Sequence, residues 1–179
     1  MNFTIDDVNI LYEDNHVIVA VKPQNMPSVP DESGDADMYT VLKEYIKQKE
    51  NKPGDAFLGV VHRLDRPTGG VMMFAKTSKA AERLTRAVKE REVEKKYLAV
   101  INGKLKSDRG TLVNWLRKNP STNVVSVVTS LTEGAKEARL DYEQLETLGA
   151  ISLVRVVLHT GRGHQIRVQM AAQNCPLFG

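Results

Sequence analysis

The sequence contains one cysteine, Cys175, and no second thiol to pair with it. A single thiol excludes an internal disulfide and a multi-thiolate metal site, so Cys175 reads as a small hydrophobe. No apolar run approaches the roughly 20 residues that a membrane span requires. The start Met1-Asn2-Phe3-Thr4-Ile5-Asp6-Asp7 also lacks the basic segment and apolar core of a leader, so a cytoplasmic protein is expected. Repeats of solenoid period and a convincing linker are missing as well. Acid is absent from Ile151 to Gly179, where the arginines and histidines are Arg155, His159, Arg162, His164 and Arg167. A groove lined by that stretch is locally positive.

What is present suffices for one globular domain: 179 residues, 41% of them hydrophobic. The net charge is only +3, but it is unevenly placed, at −6 over residues 1 to 58 and +9 over residues 59 to 179. Such a split permits a basic face that attracts a polyanion, and it is equally compatible with solvated surface.

Ile10-Leu11-Tyr12 and His16 to Val21 read as two strands of a hairpin around Glu13-Asp14-Asn15, stopped by Lys22-Pro23. Residues 24 to 37 have no apolar period and read as a surface loop. Val41, Leu42, Tyr45 and Ile46 recur at helical spacing, and Asn51-Lys52-Pro53-Gly54 ends that helix. A buried strand is expected over Phe57 to Val61 and another over Val71 to Ala75. Ser78 is expected to cap an amphipathic helix running through Glu90, with Arg83, Arg86 and Lys89 outward. Strands follow at 96 to 101, 111 to 116, 122 to 129, 138 to 146 and 151 to 159. Gly161 and Gly163 then hinge a turn into a helix over His164 to Gln173. The fold class expected is mixed α/β (α+β), with a central, largely antiparallel sheet and flanking helices.

Between the two core strands lies His62-Arg63-Leu64-Asp65-Arg66-Pro67-Thr68-Gly69-Gly70, which packs an acid between two arginines. Flanking guanidinium groups hold a carboxylate ionised at neutral pH, which suits a nucleophile or general base. Taken alone, the same residues describe an ordinary surface ion pair capping a turn.

This stretch resembles the signature of the RluA-type RNA pseudouridine synthases: His-Arg-Leu-Asp-Arg, one variable residue, then Thr-Ser-Gly. Tyr12-Glu13-Asp14 with Val21-Lys22-Pro23, then Lys96-Tyr97, then Gly161-Arg162-Gly163-His164-Gln165-Ile166-Arg167-Val168 match the same family in the same order. The resemblance implies the catalytic fold of these enzymes. It also implies isomerisation of uridine in structured RNA, ribosomal or transfer, without metal or other cofactor. Asp65 takes the nucleophile position, with attack on the ribose C1′ and addition to C6 of the base both open. Arg167 matches the arginine that pairs with this carboxylate. Tyr97 matches the tyrosine that stacks on the uracil and can move the C5 proton. Strand alternation puts Tyr97 with Ala99 and Ile101 on one face, which leaves core packing open for it too. RNA-contacting roles fall to Arg63, Arg66, Arg162, His164 and Gln165, with Arg63 filling the gap left by a flipped base and Arg162 meeting phosphate. His62 reads as structural.

Other chemistries fit less well. His159 and His164 lack a third metal ligand and an evident carboxylate partner. Gly161-Arg162-Gly163-His164 lacks the P-loop lysine, and ahead of a helix it suits RNA phosphate better than a nucleotide. A small phosphate-ester hydrolase needs a metal cluster that the sequence does not offer. A non-catalytic RNA-binding module of the same fold is the rival from another class.

The chain departs from the family pattern at Gly69 (usually Ser), Gly163 (usually Thr) and Gln169 (often His), and the two glycines are expected to soften their loops. Cys175-Pro176-Leu177-Phe178-Gly179 resembles a point from which family members run on. The expectation is therefore a C-terminally truncated domain, monomeric, with an exposed sheet edge through which copies can associate.

Overall fold

The computed structural model describes residues 3–51 and 53–178, which fall into two compact units divided between Glu92 and Val93. Both are mixed α/β with wholly antiparallel strand pairing, so the expected sheet is distributed over two sheets. No helix among the described residues is long and apolar enough to cross a membrane.

In the first unit, β1 (Asn9–Glu13) and β2 (Val17–Lys22) form the expected hairpin. Asp14 closes its turn, its carboxylate accepting from the backbone N–H of His16 and of Val17, both at 2.7 Å. The sheet order is β1-β2-β4-β3, with β3 (Gly59–Val60) and β4 (Gly70–Ala75) either side of the polar segment. β3 is shorter than the apolar run 57 to 61 suggested. Period-two alternation buries Ile18, Ala20 and Lys22 on one face of β2, opposite Phe74, Met72 and Gly70 of β4. The helix α1 (Met38–Lys49), capped by Asp37, buries Met38, Leu42 and Ile46 at four-residue spacing against this face. Lys76, after β4, pairs with Glu13 and Glu50 at 2.8 Å each and ties β1 to the end of α1.

The helix α2 (Ser78–Lys89) lies against β3 and β4. Its cap is Thr77, one residue before the one expected, with Oγ1 accepting from the Ala80 N–H at 3.2 Å. The approach of α2 to β3 is so close that a Cβ on Gly59 would stand 2.9 Å from that of Ala81.

The second unit orders its strands β5-β9-β8-β6-β7: β5 (Lys95–Asn102), β6 (Arg109–Lys118), β7 (Val125–Val128), β8 (Lys136–Leu148) and β9 (Ile151–Leu158). One face carries Ile101, Leu140, Val154 and Val156, which form a core with Leu105, Cys175 and Met170 of α3 (Gln165–Ala171). Cys175 is indeed a buried small side chain. The β5 edge of this sheet is partly occupied. Residues 176 to 178 run beside it, with Asn102 N–H donating to Pro176 O and Phe178 N–H to Val100 O, each at 2.8 Å.

Thr77→Ala removes the acceptor for a helix-terminal amide and is expected to cost about 1 kcal/mol. A lowered thermal midpoint by circular dichroism checks it, and an unchanged midpoint contradicts the assignment of the cap.

Candidate active site

Segment 62 to 70 forms a loop whose tip is a turn, with Thr68 N–H donating to Asp65 O at 2.9 Å. Asp65 is exposed. His62 opens the loop by continuing the sheet: β3 ends at Val60, and the imidazole Nε2 accepts the Met73 N–H at 3.0 Å. That bond requires Nε2 to be unprotonated and gives His62 the structural role read from the sequence.

The backbone on either side of Asp65 is pinned from below. Ser28 Oγ donates to Leu64 O at 2.6 Å and accepts from Leu64 N–H at 3.2 Å. Lys22 Nζ donates to Arg66 O at 3.0 Å, to Met26 O at 2.6 Å and to Pro23 O at 3.0 Å. Lys22 is 0% exposed, at the end of the core-facing register of β2. Residues 26 to 28 are buried with it, so part of the segment expected as a surface loop is a cradle under Asp65. Burial pushes the Lys22 ammonium down to about 8, while the neighbouring Asp65 charge works to raise it and Arg66 adds to the lowering.

The Arg66 guanidinium lies elsewhere than expected. It reaches Asp35, Asp31 at 3.4 Å and Ser33 Oγ at 2.8 Å, tying down the 24 to 37 segment. The expectation of two guanidinium groups flanking the carboxylate is therefore corrected for Arg66. A buried ammonium from β2 stands in electrostatic reach of Asp65. Arg63 is exposed on the same loop. Gly69 has little slack, because a Cβ there would meet Gln24 Cγ at 3.0 Å.

In the second unit, Tyr97 lies on the face of β5 shared with Ile101 and packs, half-buried, against the same core as Ile166 of α3. Arg167, the next residue, is exposed. The turn into α3 hinges on His164, which has φ 52°; the glycines beside it do not supply the left-handed residue. His164 is exposed, and Arg162 Nε donates to Glu137 O at 2.8 Å.

Gln165 is 2% exposed and its amide is committed inward, so the structure moves it from the expected RNA-contacting set. Its Oε1 accepts from Thr160 Oγ1 at 2.8 Å and from Arg162 N–H at 3.0 Å. Its Nε2 donates to Arg139 O at 3.1 Å and Gln169 Oε1 at 3.0 Å. Gln169, fully buried, has Nε2 within 3.2 Å of Leu112 O and Ala138 O and 2.9 Å of Asn114 Oδ1. This network fixes α3 and the Arg162 backbone to the sheet. His159 has the carboxylate partner that sequence did not reveal: Asp141 at 2.7 Å, which also accepts from Thr111 Oγ1 at 2.6 Å.

Sequence reasoning missed Lys22 and Ser28 as supports of the loop. The available signal was a lysine in the buried phase of an alternating strand. Lys22→Met leaves three carbonyls without their donor and is expected to cost about 2–5 kcal/mol. In urea unfolding the wild type should also gain on the variant as pH rises from about 8 towards 10.5, because there the unfolded lysine holds a proton that the folded one has lost. A gap that stays flat across that window contradicts a buried ammonium.

The model of the RNA pseudouridylate synthase family matches residues 16–172. An uncharacterized RNA pseudouridine synthase of Aquifex aeolicus is 36% identical over 177 residues, covering 96% of this chain and 54% of the relative. Ribosomal large subunit pseudouridine synthase D of Blochmanniella floridana is 37% identical over 180 residues, covering 96% and 52%. The chain thus spans about half the length of these relatives. In fold it is similar to human RNA pseudouridylate synthase domain containing 4, with a TM-score of 0.81 at 24% identity over 96% of this chain and 67% of that one. With the family model spanning both units and their loops, this chain belongs to the RNA pseudouridylate synthase family.

Proposed function

We propose that this chain isomerises uridine to pseudouridine in structured RNA, with Asp65 as the nucleophile and the two units together serving as one catalytic domain. The observation that carries the reading is the clamp on the Asp65 loop. An exposed carboxylate is held by hydrogen bonds to the backbone of both its neighbours, from Ser28 on one side and buried Lys22 on the other. A clamped loop restrains the attacking oxygens before substrate arrives, which is where positioning lowers a barrier.

The bond between uracil N1 and ribose C1′ breaks, the base turns, and a bond from C5 to C1′ forms. The proton on C5 leaves and N1 gains one, so no atom or electron is lost and no oxidant is needed. Asp65 attacks C1′ or adds to C6; either requires its carboxylate form. Tyr97 offers a half-buried ring for the uracil and a hydroxyl for the C5 proton, and Arg167 supplies the cation that the family resemblance pairs with Asp65. Arg63, Arg162 and His164, all at least partly exposed, are the RNA contacts in this reading. The names of the relatives favour large-subunit ribosomal RNA as the substrate, and the reading takes a monomer as the working form.

Tritium release from RNA labelled at C5 of uridine tests the reading. Asp65→Asn should lower release by at least about 10³-fold while RNA affinity holds. Undiminished release in that variant overturns Asp65 as nucleophile, and RNA binding without release in either protein favours a non-catalytic module. Tyr97→Phe keeps the ring and removes the hydroxyl. A fall in turnover of about 10²–10⁴-fold at unchanged RNA affinity is expected if the hydroxyl moves the proton, and full turnover excludes that role.

A further inference from the structure

The segment that Arg66 ties down carries charge that the clamp on Asp65 does not require. From Pro23 to Leu42 there is no cation, and four acids, Asp31, Glu32, Asp35 and Asp37, fall within seven residues. Left free, that charge would repel a polyanion from the loop that carries Asp65.

The acids lie on a loop closed at its base. Met38 N–H donates to Pro27 O at 2.9 Å, Ser28 is fastened to Leu64, and Asp37 is buried as the cap of α1. Between these anchors residues 30 to 34 are exposed. The loop is shaped by local bonds: Asp31 Oδ1 accepts from the Ser33 N–H at 2.9 Å and from the Ser33 hydroxyl, and Ser33 Oγ accepts from the Asp35 N–H at 3.2 Å.

So folded, it presents three oxygens to Arg66, the residue after Asp65. Nη1 donates to Asp31 Oδ2 at 3.4 Å and to Ser33 Oγ at 2.8 Å, and Nη2 donates to Asp35 Oδ2. Anionic oxygens set about a guanidinium fork are what a phosphodiester also offers. The Arg66 and Asp31 side chains are 38% and 41% exposed, and exposed pairs of this kind are weak enough for a phosphate to replace. The bonds from Lys22 and Ser28 to the backbone beside Asp65 come from buried side chains and do not depend on where the Arg66 guanidinium points.

We propose that residues 29 to 36 form an autoinhibitory strap, in which Asp31 and Asp35 stand in for an RNA phosphodiester on Arg66 and are exchanged for one when RNA seats at Asp65. This rests on the RNA substrate proposed above. Breaking the latch lowers apparent affinity by the fraction of molecules whose strap is open. It also selects, because a ligand shifts the strap only by binding the open form better, and a free nucleoside has no phosphate with which to do so. A plain tether predicts the reverse: without Asp31 and Asp35 the surroundings of Asp65 loosen and RNA binds less well.

Fluorescence anisotropy with an unmodified large-subunit ribosomal RNA transcript, alongside tritium release, separates the two. Asp31→Asn/Asp35→Asn should lower Kd and KM by about 3- to 10-fold, with kcat at saturating RNA unchanged. Glu32→Gln removes a neighbouring exposed charge and should alter Kd by less than about 2-fold. In an Arg66→Gln background, where there is no latch to release, the double substitution should gain less than about 2-fold as well. Unchanged or raised Kd in the double variant overturns the strap. An equal gain in the Arg66→Gln background overturns it too, since bulk charge would then be at work. Where a lowered thermal midpoint marks damage to the double variant, Asp31→Asn alone decides, with a smaller gain expected and no gain overturning the proposal. Tighter RNA binding by the double variant of a protein that releases no tritium would end the synthase reading and leave the strap standing; no RNA binding by either protein overturns both.

Discussion

The geometry around Asp65 depends on one buried ammonium. Lys22 occupies a position that strand alternation assigns to the core, beside Ile18 and Ala20, and an unpaired charge there would be costly. Three backbone carbonyls make it tolerable, two of them local and one on Arg66, 44 residues along the chain. The same bonds that satisfy the lysine therefore fix the course of the 62 to 70 loop. A hydrophobic residue in that place would fill the core and leave those carbonyls, and with them the loop, without a donor. The bonded charge thus serves the conformation of the loop together with the stability of the unit.

The second unit uses a neutral version of the same device. Gln165 and Gln169 lie on the buried side of a seven-residue helix and spend their amides on carbonyls of β6 and β8, on Asn114, on Thr160 and on each other. A helix that short has little stability of its own. Anchoring by side-chain amides sets its rotation about its axis, and that rotation is what leaves Arg167 exposed while Ile166 and Met170 face the core. Gln165 also accepts the Arg162 N–H, so the turn that carries the other arginine is fixed by the same residue. The family motif around these positions thus contains residues of two kinds, exposed cations and the buried amides that aim them.

Periodicity disclosed the elements well because it reports burial, and burial is what pays the entropy of ordering a strand or helix. The hairpin of β1 and β2, both long helices and every strand of the second half were legible in this way. Errors fell where a backbone contact decides the outcome. Segment 24 to 37 has a loop composition, yet Met26 and Ser28 are buried under Lys22 and Leu64 through bonds to distant chain that no local pattern encodes. His164 adopts the left-handed conformation next to two glycines that seemed better suited to it. The motif resemblance named Gln165 as part of a functional stretch without saying which way it faces, and only the fold shows that its neighbours reach outward while it reaches in. Arg66 is a similar case: adjacency to Asp65 in sequence suggested an ion pair, whereas the extended side chain is drawn to Asp31 and Asp35 of the segment it helps to hold.

The uneven charge of the sequence acquires meaning from these placements. The acids of the first 58 residues are largely engaged: Glu13 with Lys49 and Lys76, Asp31 and Asp35 with Arg66, Asp55 with Lys43, Asp37 at a helix cap. Carboxylates paired with a cation repel a polyanion less than free ones, because the opposite charge stands within a few ångströms, well inside a Debye length of about 8 Å. The excess cations of the remaining chain are not all so occupied, and Arg117 and Lys118 stand at the end of a strand in a stretch without acids. The reaction proposed above calls for attraction that is broad in reach and a reacting carboxylate that is narrow in placement. In that reading the first is assembled from exposed side chains on strand ends and turns, and the second from buried donors that hold the backbone of the Asp65 loop.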